Sequence, residues 1–528
     1  MSKKIIKGQA GMIEGINAVA DTIKVTLGPK GKCVAIQSSF GGPDITRDGA
    51  TVAKGISLKD PIQSMGAELI KNAAVKTEEQ AGDSTSSTAI LVQEFVRRGS
   101  RFIQDPEVNM NELKDGMEKA VEETKVYIAK TSEPVADDLE KIRRVATISA
   151  NNDKAIGNLI VEAMEKVGID GVITADFGSG LDTSIEVTQG FKILRGWASP
   201  HFVTSQSDAK CVLENPVILV VSERLSTIPP LAPVLEAIAK QGRELLIIAD
   251  EIDDIVLNML AFNNIQGALK CCVVKGIDFG DSRRNIMEDI AVSVGAHHVC
   301  PEYGLSMSDV TLEMLGSAEK AVISKDTCII YDGHGDADQI RDRLEVIKDR
   351  LKDSSVSDYE KTKFKARISG LSGGVAVIRA GGASDTEKKN RKATIEDAIL
   401  ASQSAISEGV VPGGGWTLVK ASTAVEIPKE ATNSEKLGYR VILDSLPIIT
   451  KTIAENYGLS GEVVVTKTLE GEQGFNAKTG TWGDLKSDGV LDSAKALRVA
   501  LENAVSAASM CLLTDAIIYD EPEEDSNK

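Results

Sequence analysis

Three separated segments of this sequence carry groups that suit a phosphate site. Thr26-Leu27-Gly28-Pro29-Lys30-Gly31, Gly82-Asp83-Ser84-Thr85-Ser86-Ser87-Thr88 and Val411-Pro412-Gly413-Gly414-Gly415 read together as one split site. The middle segment is the sharpest. It sets a carboxylate before a run of hydroxyls, then continues into Ala89-Ile90-Leu91-Val92 and Phe95, an apolar run that can start a helix. Backbone N–H groups at a helix start point at an anion, and the helix dipole favours negative charge there. The hydroxyls add donors, and Asp83 has the chemistry to hold the divalent cation that accompanies a triphosphate. By residue type alone, Asp83 and Thr85 serve equally well as helix caps. The other two segments tip the balance towards phosphate.

The elements that must position these groups are legible in the apolar spacing. Up to about residue 130 the chain reads as long helices: Ile62, Met65, Leu69 and Ala73 recur at helical spacing, and Pro61 suits a first helical turn. A similar texture returns after residue 409 and ends in the apolar run from Ala504 to Leu513. Between them lie Val217–Val221, Leu245–Ile248 and Cys271–Val274, short, fully apolar and rich in β-branched residues. They alternate with helix-like stretches near Leu231–Ala239 and Ile252–Phe262, an α/β pattern around a buried, largely parallel sheet. A helical pair follows, Ile340/Leu344/Ile347/Leu351 and Tyr359/Phe364/Ile368/Leu371, broken by a polar turn from Asp353 to Asp358. Single glycines mark the changes of texture: Gly190, the pair Gly373-Gly374, and Gly409.

A chain of 528 residues is long for one core, so two to four domains are expected. Aromatic residues make up only 4%, which leaves the core to Val, Ile, Leu and Ala. A net charge of −18 argues against a nucleic-acid binder, because phosphate backbones demand a basic surface. The seven cysteines form no C-x-x-C pair, which fits a reducing compartment. His297, His298 and Cys300 have the types of metal ligands, but the alternation around Val299 reads better as a strand. Met1 to Met12 carries lysines and no apolar signal core, and no segment is expected to approach the length needed to span a bilayer. A soluble, cytoplasmic protein without membrane or nucleic-acid partners is the expectation.

From about residue 2 to about residue 520 the sequence resembles the group I chaperonins, the bacterial GroEL type. The matching words are Val25-Thr26-Leu27-Gly28-Pro29-Lys30-Gly31, Thr46-Arg47-Asp48-Gly49, Ile395-Glu396-Asp397-Ala398, Glu408-Gly409-Val410-Val411 with Gly413-Gly414-Gly415, and Gly489-Val490-Leu491-Asp492. The resemblance implies a multidomain α and α/β fold. Its helical equatorial domain comes from both ends (1–130 and 409–519), its small intermediate domain from two short segments (131–189 and 376–408), and its α/β apical, client-binding domain from the middle (190–375). Residues 520–528 would form an acidic disordered tail.

The same resemblance implies the site roles. Thr26, Leu27, Gly28 and Pro29 line one side of the nucleotide, Arg47 lies beside them, and Asp83 binds magnesium. Ser84, Thr85, Ser86 and Ser87 contact the phosphates, and Gly414 allows close backbone approach. Asn476, Ala477, Val490 and Asp492 hold base and ribose, while Asp48 and Asp397 position and polarise the attacking water. Phosphoryl transfer needs such alignment and charge stabilisation more than a strong base. Taken alone, Asp397 also reads as a solvated carboxylate on a helix from Thr394 to Ile406. Clients would bind Trp197, His201, Phe202, Leu231, Ala232, Leu235, Leu257, Ala261 and Phe262 through exposed apolar surface. Leu231/Leu235 and Leu257/Ala261 are helical i, i+4 pairs that suit a stripe, although any single leucine among them reads better as a core contact.

The sequence departs from the family pattern in places. Arg47 replaces a lysine, Ser84 a glycine, and Ser86 and Ser87 threonines; His201 replaces a tyrosine, and Ala232 and Ala261 replace larger aliphatics. Asp520, Glu521, Glu523, Glu524 and Asp525 stand where Gly-Gly-Met repeats usually lie. The implied function is an ATP-dependent chaperonin using Mg²⁺ and K⁺, assembled as heptameric rings back to back, with a GroES-like lid and non-native polypeptides as partners. The alternative is a ring-forming scaffold or holdase with slow or lost ATP turnover.

Overall fold

The computed structural model describes residues 3–520 apart from 38–42, 137, 170, 179, 194, 206–208, 277–279, 353–359, 361–362, 365–366, 369 and 372–373. The polar turn from Asp353 to Asp358, Tyr359, Gly373 and all but the first residue of the acidic tail lie outside the described residues. The chain forms two compact units, one of Met1–Val161, Phe177–Thr183 and Ala380–Lys528, the other of Glu162–Asp176 and Ser184–Arg379.

The first unit is a helical assembly. Its core joins Ala10–Lys24, Pro61–Ala81, Thr85–Gly99 and Met110–Thr131 to Asn433–Leu443 and Ala494–Leu513. The boundaries follow local chemistry. Pro61 opens its helix behind Asp60, whose carboxylate accepts from the amides of Ile62 (2.8 Å) and Gln63 (2.9 Å). Thr432 and Glu435 form a reciprocal capping box at the start of Asn433–Leu443. Ala494–Leu513 corrects one expectation: it is long and apolar enough to cross a membrane. Yet 72% of that stretch is buried, because Leu497, Leu501, Ala504, Ala508 and Cys511 fill the centre of this core. The two ends of the chain meet in an antiparallel ribbon, Lys3–Lys7 with Ala516–Asp520, and a second ribbon pairs Val34–Ile36 with Asp44–Thr46.

The second unit is built on a mixed sheet. Val217–Val221, Leu245–Ala249 and Cys271–Lys275 are neighbouring parallel strands, and His298–Val299 adds a short parallel strand to the first. Towards the other edge the sheet turns antiparallel through Gly316–Ile323, Cys328–Gly333, Ser184–Ile193 and Gly374–Ala380. The parallel region matches the sequence pattern, since strands covered on both faces must be apolar throughout. The antiparallel half was not foreseen. Gly190 lies inside the Ser184–Ile193 strand rather than at a turn, whereas Gly409, at φ +83°, ends the helix Asp385–Glu408. Helices Ala232–Gln241, Asp254–Ile265 and Gly280–Val294 connect the parallel strands.

Candidate functional site

The three separated segments meet around one cavity of about 970 Å³ in the first unit. Every residue assigned above to nucleotide, metal or water lines it, from Thr26 through Asp83 and Asp397 to Asp492. The loop after Ala10–Lys24 is held by Arg47, whose Nη2 donates to the Gly28 carbonyl at 2.8 Å. Asp48 caps the short helix Gly49–Gly55 by accepting from the amides of Ala50 (3.4 Å) and Thr51 (2.6 Å). Asn476 donates to Asp488 at 3.2 Å, and Asp492 sits in a strand, Leu491–Ser493, that pairs with Val410–Pro412 just before the glycine triplet.

The turn around Asp83 is tightly determined. Gly82 ends its helix at φ +69°, and a Cβ there would overlap Leu400 on Asp385–Glu408, so glycine is needed on both counts. That close approach brings Asp83 up against the helix carrying Asp397. Neither Asp83 nor Thr85 is the helix cap. Asp83 Oδ1 accepts from the Ser84 amide at 2.5 Å, while Ser84 occupies the cap position of Thr85–Gly99 with no capping side-chain bond. Ser84 itself has φ +66° and ψ +18°, a left-handed conformation. Thr85, Ser86 and Ser87 form the first helical turn, where backbone amides have no intrahelical acceptor.

Carboxylates dominate the electrostatics. Burial pushes the Asp397 carboxyl well above the usual range, and Asp48, Glu78 and Asp83 push it further. Asp83 is raised by burial and by Asp48, against the opposing bond from the Ser84 amide. Burial and Asp83 push Asp492 up to about 7, partly offset by the Gly414 amide. Glu78 is raised by burial despite its 3.0 Å ion pair with Lys54. Asp397 is therefore a desolvated group in a negative cluster, not a solvated carboxylate, and its helix runs from Asp385 to Glu408, well beyond the expected span.

Several cavity residues escaped the sequence reading. Glu78 is one, and a whole wall from the helix Leu139–Ser149 and the turn after it is another, including Glu140, Arg143, Arg144, Thr147, Asn151 and Asn152. The polar face of that helix looks like any solvated face, so no local signal could have found it.

The expected client surface needs correction. Phe202 and Leu231 are fully buried, and Leu235, Leu257 and Ala261 are also buried, all in the core of the second unit. Their i, i+4 spacing marked a helix face correctly, but that face covers the sheet. Ala232 and Trp197 are half-buried, and the Trp197 indole donates to the Ala209 carbonyl at 3.1 Å. His201 is exposed, and its carbonyl accepts from Asn264 at 3.0 Å. Phe262 remains 60% exposed, and with Ile255 (74%) and Ile265 (60%) it forms an apolar stripe on the outer face of Asp254–Ile265. Ile255 and Ile265 were missed because the i, i+7, i+10 stripe runs opposite the stronger buried one.

A model of the TCP-1/cpn60 chaperonin family matches residues 19–522. Among solved structures, the chaperonin gp146 of bacteriophage EL 2 (Pseudomonas aeruginosa), crystallised in the presence of ATP-BeFx, is similar in fold. Its crystal form II matches at 22% identity and a TM-score of 0.74, covering 98% of this chain and 99% of that one. Crystal form I matches at 21% identity and a TM-score of 0.64 over the same shares.

Proposed function

The chain belongs to the TCP-1/cpn60 chaperonin family, and we propose that it couples ATP hydrolysis to the capture and folding of non-native polypeptides. The observation that carries this reading is the convergence of segments hundreds of residues apart on one cavity with a hydroxyl-rich helix start and desolvated carboxylates. The likeness to a chaperonin crystallised with ATP-BeFx supports nucleotide as the occupant.

The residues fit a magnesium–nucleotide complex. Among the described residues no group of three or more His, Cys, Asp or Glu side chains could hold a metal ion by itself. That suits Mg²⁺, which is held by one or two carboxylates together with substrate phosphates and water. Asp83 is the carboxylate, and the cation would offset the repulsion that raises its proton affinity. The amides and hydroxyls of Thr85, Ser86 and Ser87 receive phosphate oxygens, and Asn476, Ala477, Val490 and Asp492 hold base and ribose. Asp48 and Asp397 orient water, Asp397 as the proton acceptor, and K⁺, if bound beside the phosphates, would add positive charge there.

Assembly into rings of this chain follows from the same reading, heptameric and paired, with a GroES-like lid. Two-stranded ribbons are marginal alone, and the exposed Ile5, Ile45 and Ile518 on two of them give neighbouring copies apolar surface to cover. The segments 131–189 and 376–408 act as the intermediate domain. A reducing, cytoplasmic setting agrees with seven free cysteines, six of them buried.

Phe262→Asp and Ile255→Asp should each abolish retention of an unfolded client, while the purified protein still releases phosphate from ATP. Charge in a contact that must desolvate is costly, on the order of several kcal/mol even after relaxation. Retained capture in both variants would displace the client surface from this stripe, and wild-type protein that releases no phosphate would sink the ATPase reading.

Ser84 supports a smaller prediction. A non-glycine residue in the left-handed region costs about 1–2 kcal/mol, at the residue that aims the first-turn amides. Ser84→Gly should raise ATP turnover several-fold with ring assembly unchanged. Equal or lower turnover would mean that the serine hydroxyl matters more than the strain.

A further inference from the structure

We propose that Arg144 is a nucleobase-contacting residue, covering with its guanidinium the end of the cavity formed by Asn476, Ala477 and Val490. The proposal rests on the ATP-binding reading above. The helix Leu139–Ser149 presents Glu140, Arg143, Arg144, Thr147 and Ile148 to the cavity, a single face at i, i+3, i+4, i+7 and i+8. The two arginines are held differently. Arg143 is committed to an ion pair with Glu140 through Nη1. Arg144 has only loose contacts, Nη1 to the Ser487 carbonyl at 3.5 Å and Nε to Glu140 at 3.7 Å, at or beyond the limit of a useful hydrogen bond.

Loose polar contacts do not leave the side chain adrift, because it packs on the backbone at Gly489. A Cβ at Gly489 would lie 2.9 Å from Arg144 Cδ and 3.1 Å from both Nε and Nη1, and glycine also permits the local φ of +77°. Gly489 stands between Asp488, which receives the Asn476 amide at 3.2 Å, and Val490. Arg144 is thus placed between its own helix and the loop that closes the base end. A guanidinium is planar and weakly hydrated, and it stacks on aromatic rings and on nucleobases. A lysine ammonium offers the same charge without the plane. An arginine serving only to fix the fold would be expected to make at least one short, well-formed bond, and Arg144 makes none among its described contacts.

The test compares binding of MgATP and of magnesium tripolyphosphate, which carries the phosphates without base or ribose, to wild type, Arg144→Ala and Arg144→Lys. Both variants should weaken MgATP about five- to tenfold. Tripolyphosphate affinity should change less than about twofold, and the nucleotide-free melting temperature should be unchanged. Equal losses for both ligands, with rescue by lysine, would assign Arg144 to the phosphates and overturn the proposal. Unchanged MgATP affinity would overturn it outright, and a lowered melting temperature with loss of both ligands would make the residue structural. Wild-type protein that binds no MgATP would instead defeat the ATP reading itself, before any variant is compared.

Discussion

Asp397→Ala should lower ATP turnover by about two orders of magnitude or more while changing ATP affinity little, because loss of a positioned general base typically costs 10²- to 10⁴-fold. The residue projects from Asp385–Glu408 into the cavity, where burial and then Asp48, Glu78 and Asp83 make its carboxyl hold a proton well above the usual carboxylate range. A carboxylate so tuned accepts a proton from water more readily than an exposed one. Its ionised form is the useful one, so turnover should rise with pH through its titration, and Asp397→Asn should lose that rise along with the rate. Stability should move the other way. Removing a desolvated carboxyl relieves repulsion, so the nucleotide-free variant should melt no lower than wild type above neutral pH. Unchanged phosphate release at saturating ATP would remove Asp397 from the chemistry.

Asp83→Ala should weaken magnesium-dependent nucleotide binding itself, by at least about tenfold. The pH dependence makes the argument specific. Glu78, Asp83, Asp397 and Asp492 all bind their protons more tightly in the folded state than in the unfolded chain. Their contribution is therefore fully present below the ordinary carboxylate pKa, near pH 4, and is lost as pH rises through the folded values, about 7 for Asp492. Nucleotide-free protein should lose melting temperature between about pH 4 and 7. MgATP should flatten that decline in wild type, where the metal offsets the negative cluster, and flatten it much less in Asp83→Ala. A variant that binds MgATP normally and shows the wild-type flattening would end the metal-ligand role.

Local sequence determined a large part of this protein. The parallel strands announced themselves because a strand covered on both faces must be apolar at every position, as Val217–Val221 and Leu245–Ala249 are. The three segments that meet around the cavity were equally legible, since glycines, hydroxyls and a carboxylate at a helix start have a local chemical reason to be adjacent. What spacing could not decide was direction. The i, i+4 pairs Leu231/Leu235 and Leu257/Ala261 define a helix face but not whether sheet or solvent meets it, and packing turned both inward and left Ile255, Phe262 and Ile265 outside. The same limit hid the wall carrying Arg144, whose polar face becomes part of the cavity only when the helix Leu139–Ser149 is placed beside Gly489. Nor could residue type reveal that Ser84 is left-handed, that Asp397 is desolvated beside Asp48, Glu78 and Asp83, or that Ala494–Leu513 spends its apolar length inside a core. Periodicity and turn chemistry act over a few residues, whereas exposure, proton affinity and the completion of a cavity depend on neighbours brought from hundreds of residues away.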